Sequence, residues 1–181
     1  MGNELNLPEI SKKHKEKLSK IKIALFDVDG ILTDGRIFWA GEEVGFNRFF
    51  HAHDGYGLKM LMRAGIKVGI ISGGDSVGVK NRFSQLGVDY LYLGNEDKRA
   101  ALAEILEDAK LTESEALYMG DEFFDLPLLK KVGFSATVPG ASFEVREAVD
   151  YVTQRESGNG CGREVMDMLR HVQSITPEVE Y

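Results

Sequence analysis

Short apolar runs alternate with helical patterns along most of the chain, and this alternation limits the possible folds more than any other feature. Residues 21–27 (IKIALFD) and 67–72 (KVGIIS) are mainly apolar, as expected of buried strands. Residues 97–110 (DKRAALAEILEDAK) carry apolar side chains at helical spacing instead. Strands that alternate with helices predict an α/β fold, a Rossmann-like three-layer sandwich with a mostly parallel central sheet.

Further elements follow the same two patterns. The other predicted strands are residues 90–94, 115–120, 134–138 and 150–153, and the other predicted helices are residues 55–65, 76–87, 123–132, 142–149 and 162–173. Residues 36–51 (RIFWAGEEVGFNRFFH) contain two aromatic-rich runs around a turn, which predicts a β-hairpin flap. Neither the segment between Gly30 and Ser72 nor that between Lys98 and Asp121 is long enough for a separate cap domain.

The length of 181 residues suits one main domain. We expect a polar, lysine-rich N-terminal arm at residues 1–19, either mobile or folded as a short helix. The α/β domain then covers residues 20–175 and includes the hairpin flap at 36–51, and residues 176–181 form a tail.

Net charge, cysteine count and the lack of long apolar stretches argue against several partners and structural features. The net charge of -7, with no basic run beyond residues 12–17 (KKHKEK), argues against a nucleic-acid partner. The single cysteine, Cys161, excludes an internal disulfide. The sequence has neither the apolar stretch of a signal peptide nor that of a membrane helix, so we expect a cytoplasmic protein with no membrane partner.

Polar residues follow several predicted strands at the point where those strands end. Parallel α/β sheets bind ligands at the carboxyl ends of their strands, so these positions are candidates for a functional site. They are Asp27 and Asp29 after the first strand, Ser72 after the second, Lys98 at the start of a helix, and Asp121 and Asp125 after residues 115–120.

The aspartates suit phosphoryl transfer. Asp27 can attack phosphorus as a nucleophile, and Asp29, two residues on, can donate and then accept a proton. Two carboxylates repel a phosphate dianion, and Mg²⁺ relieves this repulsion, with Asp121 as a natural third carboxylate for the metal. Taken alone, the Asp27–Asp29 pair also fits a calcium-type loop or a simple turn.

The remaining candidates have structural explanations as well. Ser72 and the backbone N–H groups of the following glycines suit phosphoryl oxygens, but the same residues fit a plain turn. Lys98 is poorly placed at a helix start, which points to a functional cation, although most such lysines are exposed surface residues. Asp125 also fits an acid that stabilises the first turn of a helix.

The ordered set D-x-D-G-x-x-T (27–33), ISG (71–73), Lys98 and GDEFFD (120–125) resembles the haloacid dehalogenase-like phosphatase superfamily over residues 20–173. The resemblance implies that Asp27 is the nucleophile and Asp29 the general acid and base. It implies Mg²⁺ bound by the Asp27 side chain, the Asp29 backbone carbonyl and Asp121, with Asp125 behind these ligands. Ser72 and Lys98 would bind the phosphoryl group.

Residues 27–39 (DVDGILTDGRIFW), 50–61 (FHAHDGYGLKML) and 157–169 (SGNGCGREVMDML) look like the capless branch that includes the 3-deoxy-D-manno-octulosonate 8-phosphate phosphatases. This implies a Mg²⁺-dependent phosphoric monoester hydrolase of octulosonate and lipopolysaccharide biosynthesis that works through an aspartyl-phosphate. It also implies a homotetramer in which the hairpin of one subunit helps close the site of its neighbour. The substrate contacts implied are Gly73, Thr33, Asp54, Gly55 and Arg163.

One position departs from the octulosonate enzymes, which usually carry arginine after the second-motif glycine. Here that position is Gly74, and Lys80 or Arg82 on the next helix could compensate for the missing guanidinium. Two alternatives therefore stay open. One is a phosphatase of a nine-carbon keto sugar acid 9-phosphate, of the sialic acid or KDN type. The other is a non-catalytic oligomerisation or regulatory module, like the domain that ends some CMP-sialate synthetases.

Overall fold

A computed structural model describes residues 5–177 of the chain. Six parallel strands form one sheet in the order β5-β4-β1-β6-β7-β8, and β2 and β3 form a separate antiparallel hairpin. The strands are β1 Ile23–Phe26, β2 Phe38–Trp39, β3 Phe46–Asn47, β4 Lys67–Ser72, β5 Tyr90–Leu93, β6 Ala116–Met119, β7 Phe134–Thr137 and β8 Tyr151–Val152. The helices are α1 Leu7–Lys13, α2 Lys15–Leu18, α3 Ala52–Arg63, α4 Val77–Leu86, α5 Arg99–Ala109, α6 Leu126–Leu129, α7 Phe143–Glu147 and α8 Cys161–Val172.

The predicted α/β sandwich is confirmed. The central strands β1 and β6 are buried along their whole length, which explains why their sequences have no polar face. Helices α1, α3 and α8 pack together, and α5 packs against α6, so helices cover the sheet in two layers. No cap domain occurs within residues 5–177, and no helix in that range is both long and apolar enough to cross a membrane.

In the described part of the expected N-terminal arm, residues 5–19 contain the short helices α1 and α2, as in the helical alternative. Helix α1 begins after Asn6, whose side chain accepts a hydrogen bond from the backbone N–H of Glu9 at 3.2 Å. Leu7 and Leu18 are buried, and α1 packs along α8. Residues 1–4 and, at the tail, 178–181 lie outside the described part of the chain.

The predicted hairpin is present but its strands have only two residues each. Its aromatic rings pack on one another: Trp39 meets Phe46 with ring centroids 5.2 Å apart, and Phe38 stacks on Phe49 at 4.8 Å. Although these rings pack on one another, they remain largely exposed to solvent.

The order of the strands creates a crevice beside β1. The chain runs from β1 outwards to β4 and β5 and then returns to β6 on the other side of β1. The loops after β1 and β6 therefore diverge at their carboxyl ends, where α/β sheets bind their ligands. Asp27 directly follows β1, and Asp121 lies just beyond β6.

Candidate active site

Three carboxylates converge at the carboxyl end of the sheet. Asp27, Asp121 and Asp125 each place a carboxylate oxygen within 4.8 Å of the other two. Strands β1 and β6 are paired in register, with Phe26 beside Met119, and this brings the loops that follow them together. The predicted meeting of residues 27 and 121 at one sheet edge is therefore found.

Lys98 bridges two of these carboxylates, those of Asp27 and Asp125. Its Nζ atom is 2.9 Å from Asp27 Oδ1 and 2.7 Å from Asp125 Oδ1, and it donates a hydrogen bond to the Tyr118 hydroxyl at 3.1 Å. The side chain is completely buried, so the interpretation of Lys98 as a surface lysine is wrong. A buried ammonium group needs such partners, because burial without them is very costly.

Asp125 holds other residues of the site in place by accepting their hydrogen bonds. Its Oδ1 accepts hydrogen bonds from Lys98 and, at 2.5 Å, from the Tyr118 hydroxyl. Its Oδ2 accepts hydrogen bonds from the backbone N–H groups of Asp121 at 3.1 Å and Glu122 at 3.0 Å. Both oxygens are occupied, so Asp125 positions Lys98 and the Asp121 loop and is a poor candidate for a direct metal ligand.

The burial of this cluster affects its protonation. The pKa of Asp27 is raised to about 7, mainly by desolvation; the attraction of Lys98 opposes this shift and the charge of Asp125 adds to it. Desolvation and the charges of Asp27 and Asp125 likewise raise the pKa of Asp121 to about 7. Three carboxylates meet here and Lys98 supplies one positive charge, so Lys98 alone does not balance the negative charge of the site.

A divalent cation would balance the excess negative charge of these carboxylates. Asp121 Oδ1 is buried and has no hydrogen-bond partner among the described residues. Carboxylate oxygens that converge without donors are the ligands that Mg²⁺ prefers. Asp27 and Asp121 thus have the donor atoms for Mg²⁺, as predicted.

Asp29, the predicted acid and base, is held by a residue that the sequence analysis missed. Arg48, just after β3, places Nε 2.5 Å from Asp29 Oδ1 and Nη2 2.7 Å from Asp29 Oδ2. This contact occupies both side-chain oxygens and leaves the backbone carbonyl of Asp29 as its predicted metal ligand. The guanidinium also donates to Ser76 Oγ at 3.0 Å, and the Asp29 carboxylate raises the pKa of Arg48.

Ser72 and its neighbours lie at the same edge of the sheet. Ser72 is buried at the end of β4, which pairs with β1. Its Oγ accepts a hydrogen bond from the backbone N–H of Gly74 at 3.2 Å. A side chain at Gly73 would press on Glu96, since its Cβ would lie 3.2 Å from Glu96 Cγ. The phosphoryl-binding role of Ser72 and Gly73 stays a prediction.

Thr33 supports the loop that carries Asp29. Its hydroxyl lies 3.2 Å from the Val28 carbonyl oxygen and 3.4 Å from Asp29 Oδ1, and the residue is fully buried. These contacts stabilise the turn after β1.

The predicted substrate contacts Asp54, Gly55 and Arg163 form a second cluster. Asp54 Oδ1 accepts a hydrogen bond from the backbone N–H of Arg163 at 2.6 Å. The Arg163 side chain instead pairs with Asp167, with Nε 3.0 Å from Oδ2. Across residues 5–177, no hydrogen bond or ion pair links this cluster to the Asp27–Asp121 centre, so its role stays a prediction.

Arg82 belongs to this second cluster, and its guanidinium would overlap a side chain at Gly55. Lys80 is exposed on α4. The guanidinium beside Gly74 comes from Arg48 instead, because a Cβ at Gly74 would lie 2.9 Å from Arg48 Nη2. The suggestion that Lys80 or Arg82 compensates at Gly74 is therefore wrong.

The chain is similar in sequence to known hydrolases and phosphatases. Residues 90–165 match the haloacid dehalogenase-like hydrolases. The chain is 38% identical over 161 residues to the 3-deoxy-D-manno-octulosonate 8-phosphate phosphatase KdsC of Haemophilus influenzae, with 88% of each chain covered. It is 35% identical over 166 residues to KdsC of Escherichia coli K12, covering 91% of this chain and 87% of that one.

A solved structure is similar over nearly the whole chain. This is the Moraxella catarrhalis 3-deoxy-D-manno-octulosonate 8-phosphate phosphatase in complex with a magnesium ion, a phosphate ion and KDO. The TM-score is 0.85 at 34% identity, and the match covers 90% of this chain and 93% of that one.

Proposed function

Since the chain belongs to the 3-deoxy-D-manno-octulosonate 8-phosphate phosphatase family of haloacid dehalogenase-like hydrolases, we propose that it hydrolyses 3-deoxy-D-manno-octulosonate 8-phosphate to 3-deoxy-D-manno-octulosonate and phosphate. It is a phosphoric monoester hydrolase, and its cofactor is Mg²⁺. The observation that carries the proposal is the convergence of Asp27, Asp121 and Asp125, two of which pair with the buried Lys98.

Asp27, Asp121 and the backbone carbonyl of Asp29 would hold the metal. When bound, Mg²⁺ supplies positive charge that offsets the repulsion between these carboxylates and the phosphate. Lys98 adds a fixed positive charge beside Asp27, and Ser72 supplies a hydroxyl at the edge of the same crevice. These groups would orient the phosphorus atom towards Asp27.

Asp27 is the attacking group in this account. Within the described residues, the hydrogen bond from the Val28 N–H and the ion pair with Lys98 both end on its Oδ1 and fix the carboxylate, of which one oxygen would hold the metal while the other attacks phosphorus. Attack forms an aspartyl-phosphate and breaks the bond from phosphorus to the bridging oxygen. For this step Asp29 must hold a proton, which it transfers to the departing sugar oxygen. It then removes a proton from the water whose oxygen attacks phosphorus, releasing phosphate and restoring Asp27.

The direct test is phosphate release from a panel of eight- and nine-carbon keto acid phosphates, with Mg²⁺ and with EDTA. We expect the highest kcat/KM for the eight-carbon 8-phosphate and no turnover in EDTA. A higher kcat/KM for a nine-carbon 9-phosphate would establish that alternative instead. No Mg²⁺-dependent turnover of any substrate, p-nitrophenyl phosphate included, would favour the non-catalytic module.

We further propose that four copies assemble, with the hairpin of one subunit bordering the site of another. The hairpin exposes Trp39 to 59%, Phe46 to 58% and Phe49 to 67%, and an isolated hairpin of this length has little stability of its own. Burial of these rings between copies would stabilise the hairpin and shield the crevice from water.

Light scattering, which gives the oligomer size, and activity assays together test this assembly. A chain shortened between Phe38 and Phe49 should lose both oligomer size and activity on the sugar-acid phosphate, with p-nitrophenyl phosphate affected less. A monomer that is fully active on the sugar-acid phosphate at nanomolar concentration would contradict the proposal.

A further inference from the structure

We propose that Arg48 is a substrate-binding residue whose guanidinium exchanges the Asp29 carboxylate for an oxyanion of the substrate. This inference rests on the proposed phosphatase function and extends it to a residue of the hairpin. In the free enzyme Arg48 pairs with Asp29, and in the substrate complex it pairs with a phosphoryl oxygen or with the sugar's carboxylate.

The pair between Arg48 and Asp29 has a well-defined geometry. Two nitrogens of the guanidinium face the two oxygens of the carboxylate, at 2.5 and 2.7 Å, and the third nitrogen donates to Ser76 Oγ at 3.0 Å. The Arg48 side chain is only 6% exposed, whereas that of Asp29 is 33% exposed. The carboxylate is thus more open to solvent than the guanidinium that it faces.

This arrangement is incompatible with turnover unless it changes. To protonate a leaving oxygen, Asp29 must direct one of its side-chain oxygens at the substrate, but both oxygens face Arg48. Release of Asp29 without a replacement would leave a nearly buried guanidinium unpaired, which is costly. Carboxylates and phosphates are the groups that match an arginine fork, so a substrate oxyanion is the natural replacement.

Gly74 leaves the space that this guanidinium uses. A Cβ at Gly74 would lie 2.9 Å from Arg48 Nη2 and 3.3 Å from Asp29 Oδ2. A larger side chain at position 74 and the observed position of Arg48 therefore exclude each other. A guanidinium from the hairpin therefore lies directly beside the backbone of residue 74.

The first test measures kcat and KM of Arg48→Ala on 3-deoxy-D-manno-octulosonate 8-phosphate and on p-nitrophenyl phosphate. We expect KM for the sugar-acid phosphate to rise about tenfold or more, since a charged hydrogen-bonded partner is lost. A rise in KM for both substrates would identify the oxyanion as a phosphoryl oxygen, and a rise for the sugar acid alone would identify the carboxylate. Lys80→Ala, which removes an exposed cation, is the matched control and should match wild type.

The second test moves the guanidinium. Gly74→Arg alone should weaken substrate binding because the two arginines compete for one space, whereas Arg48→Gly combined with Gly74→Arg should recover much of the lost affinity. Such non-additivity is the signature of a shared position. An unchanged KM in Arg48→Ala, or a double variant no better than Arg48→Gly alone, would overturn the proposal. If wild type itself lacks Mg²⁺-dependent turnover, the proposed function has failed instead.

Discussion

Gly30 determines where the Asp121 carboxylate can lie. It has a positive φ of 85°, and a Cβ at this position would overlap Asp121 Oδ2. The backbone after β1 therefore approaches a proposed metal ligand as closely as a residue without a side chain permits. The other oxygen of Asp121, Oδ1, stays buried without a hydrogen-bond partner.

Gly30→Ala should consequently weaken Mg²⁺ binding by about tenfold or more, because displacement of one carboxylate disturbs the ligand set. Gly65→Ala is the matched control: Gly65 has a nearly equal φ of 83°, and its Cβ would have no neighbour within 4 Å. Both variants should lose about 1 kcal/mol of stability from backbone strain. Calorimetric titration with Mg²⁺ distinguishes them, and equal Mg²⁺ affinities in the two variants would contradict the metal assignment.

Single residues differ in how readily the sequence reveals them. Asp27, Asp29 and Asp121 were identified because each follows a strongly apolar strand, where a carboxylate is conspicuous. Tyr118 was missed because it lies inside β6 and looks like any aromatic core residue, although its hydroxyl holds Asp125 and Lys98. Its partners lie far apart in the sequence, and only tertiary packing brings them together.

At the scale of elements, the contact between β3 and α4 decides how the hairpin lies over the site. Asn47 Oδ1 accepts a hydrogen bond from the backbone N–H of Arg48 at 2.8 Å. The same amide lies where a Cβ at Gly78 would be, so the base of the hairpin packs directly on α4. Gly78 looks like a defect in a helix when the sequence is considered alone, but it permits this packing.

Gly78→Ala should therefore not give the stabilisation of about 1 kcal/mol that this change usually gives inside a helix. We expect a raised KM for the sugar-acid phosphate, because the displaced Asn47 moves Arg48. Adding Asn47→Ala removes the overlap, so the double variant should show the helix stabilisation in thermal unfolding. A single variant with higher stability and an unchanged KM would show that the packing of Asn47 on Gly78 is unimportant.

Elements with strong local patterns were predicted well, and those that depend on tertiary contacts were not. The observed β4 matches the predicted 67–72, since its interior is apolar and a glycine lies close to each end. The sequence gives no bounds for the two hairpin strands and leaves two alternatives for the N-terminal arm. The order of the N-terminal segment depends on its packing against α8, which lies more than a hundred residues away in sequence.

At the scale of the whole molecule, the buried carboxylates make stability depend on pH and metal. In the metal-free protein the pKa of Asp121 is about 7, above the ordinary 3.8. Between these values the folded state binds more protons than the unfolded state, so this stabilising contribution is present at low pH and is lost as pH rises through about 7. Mg²⁺ should offset that loss because it binds the deprotonated carboxylates.

A comparison of wild type with Asp121→Asn isolates this effect, since asparagine has the same shape and no charge. In EDTA the melting temperature of the variant should exceed that of wild type at about pH 8, and the difference should shrink steadily as pH falls from about 7 towards 3.8. Saturating Mg²⁺ at about pH 8 should stabilise wild type more than the variant. A difference in melting temperature that is independent of both pH and Mg²⁺ would contradict the account of the cluster.

The central claim is that Asp27 carries the phosphoryl group during turnover. Enzyme mixed with Mg²⁺ and 3-deoxy-D-manno-octulosonate 8-phosphate can be quenched in acid during the first turnover and reduced with borohydride, which converts an aspartyl-phosphate to homoserine. Mass spectrometry of the peptide that contains residue 27 should then show homoserine at Asp27, and this signal should be absent without substrate and in Asp27→Asn. Homoserine at Asp29 or Asp121 instead, or full turnover in Asp27→Asn, would contradict the account.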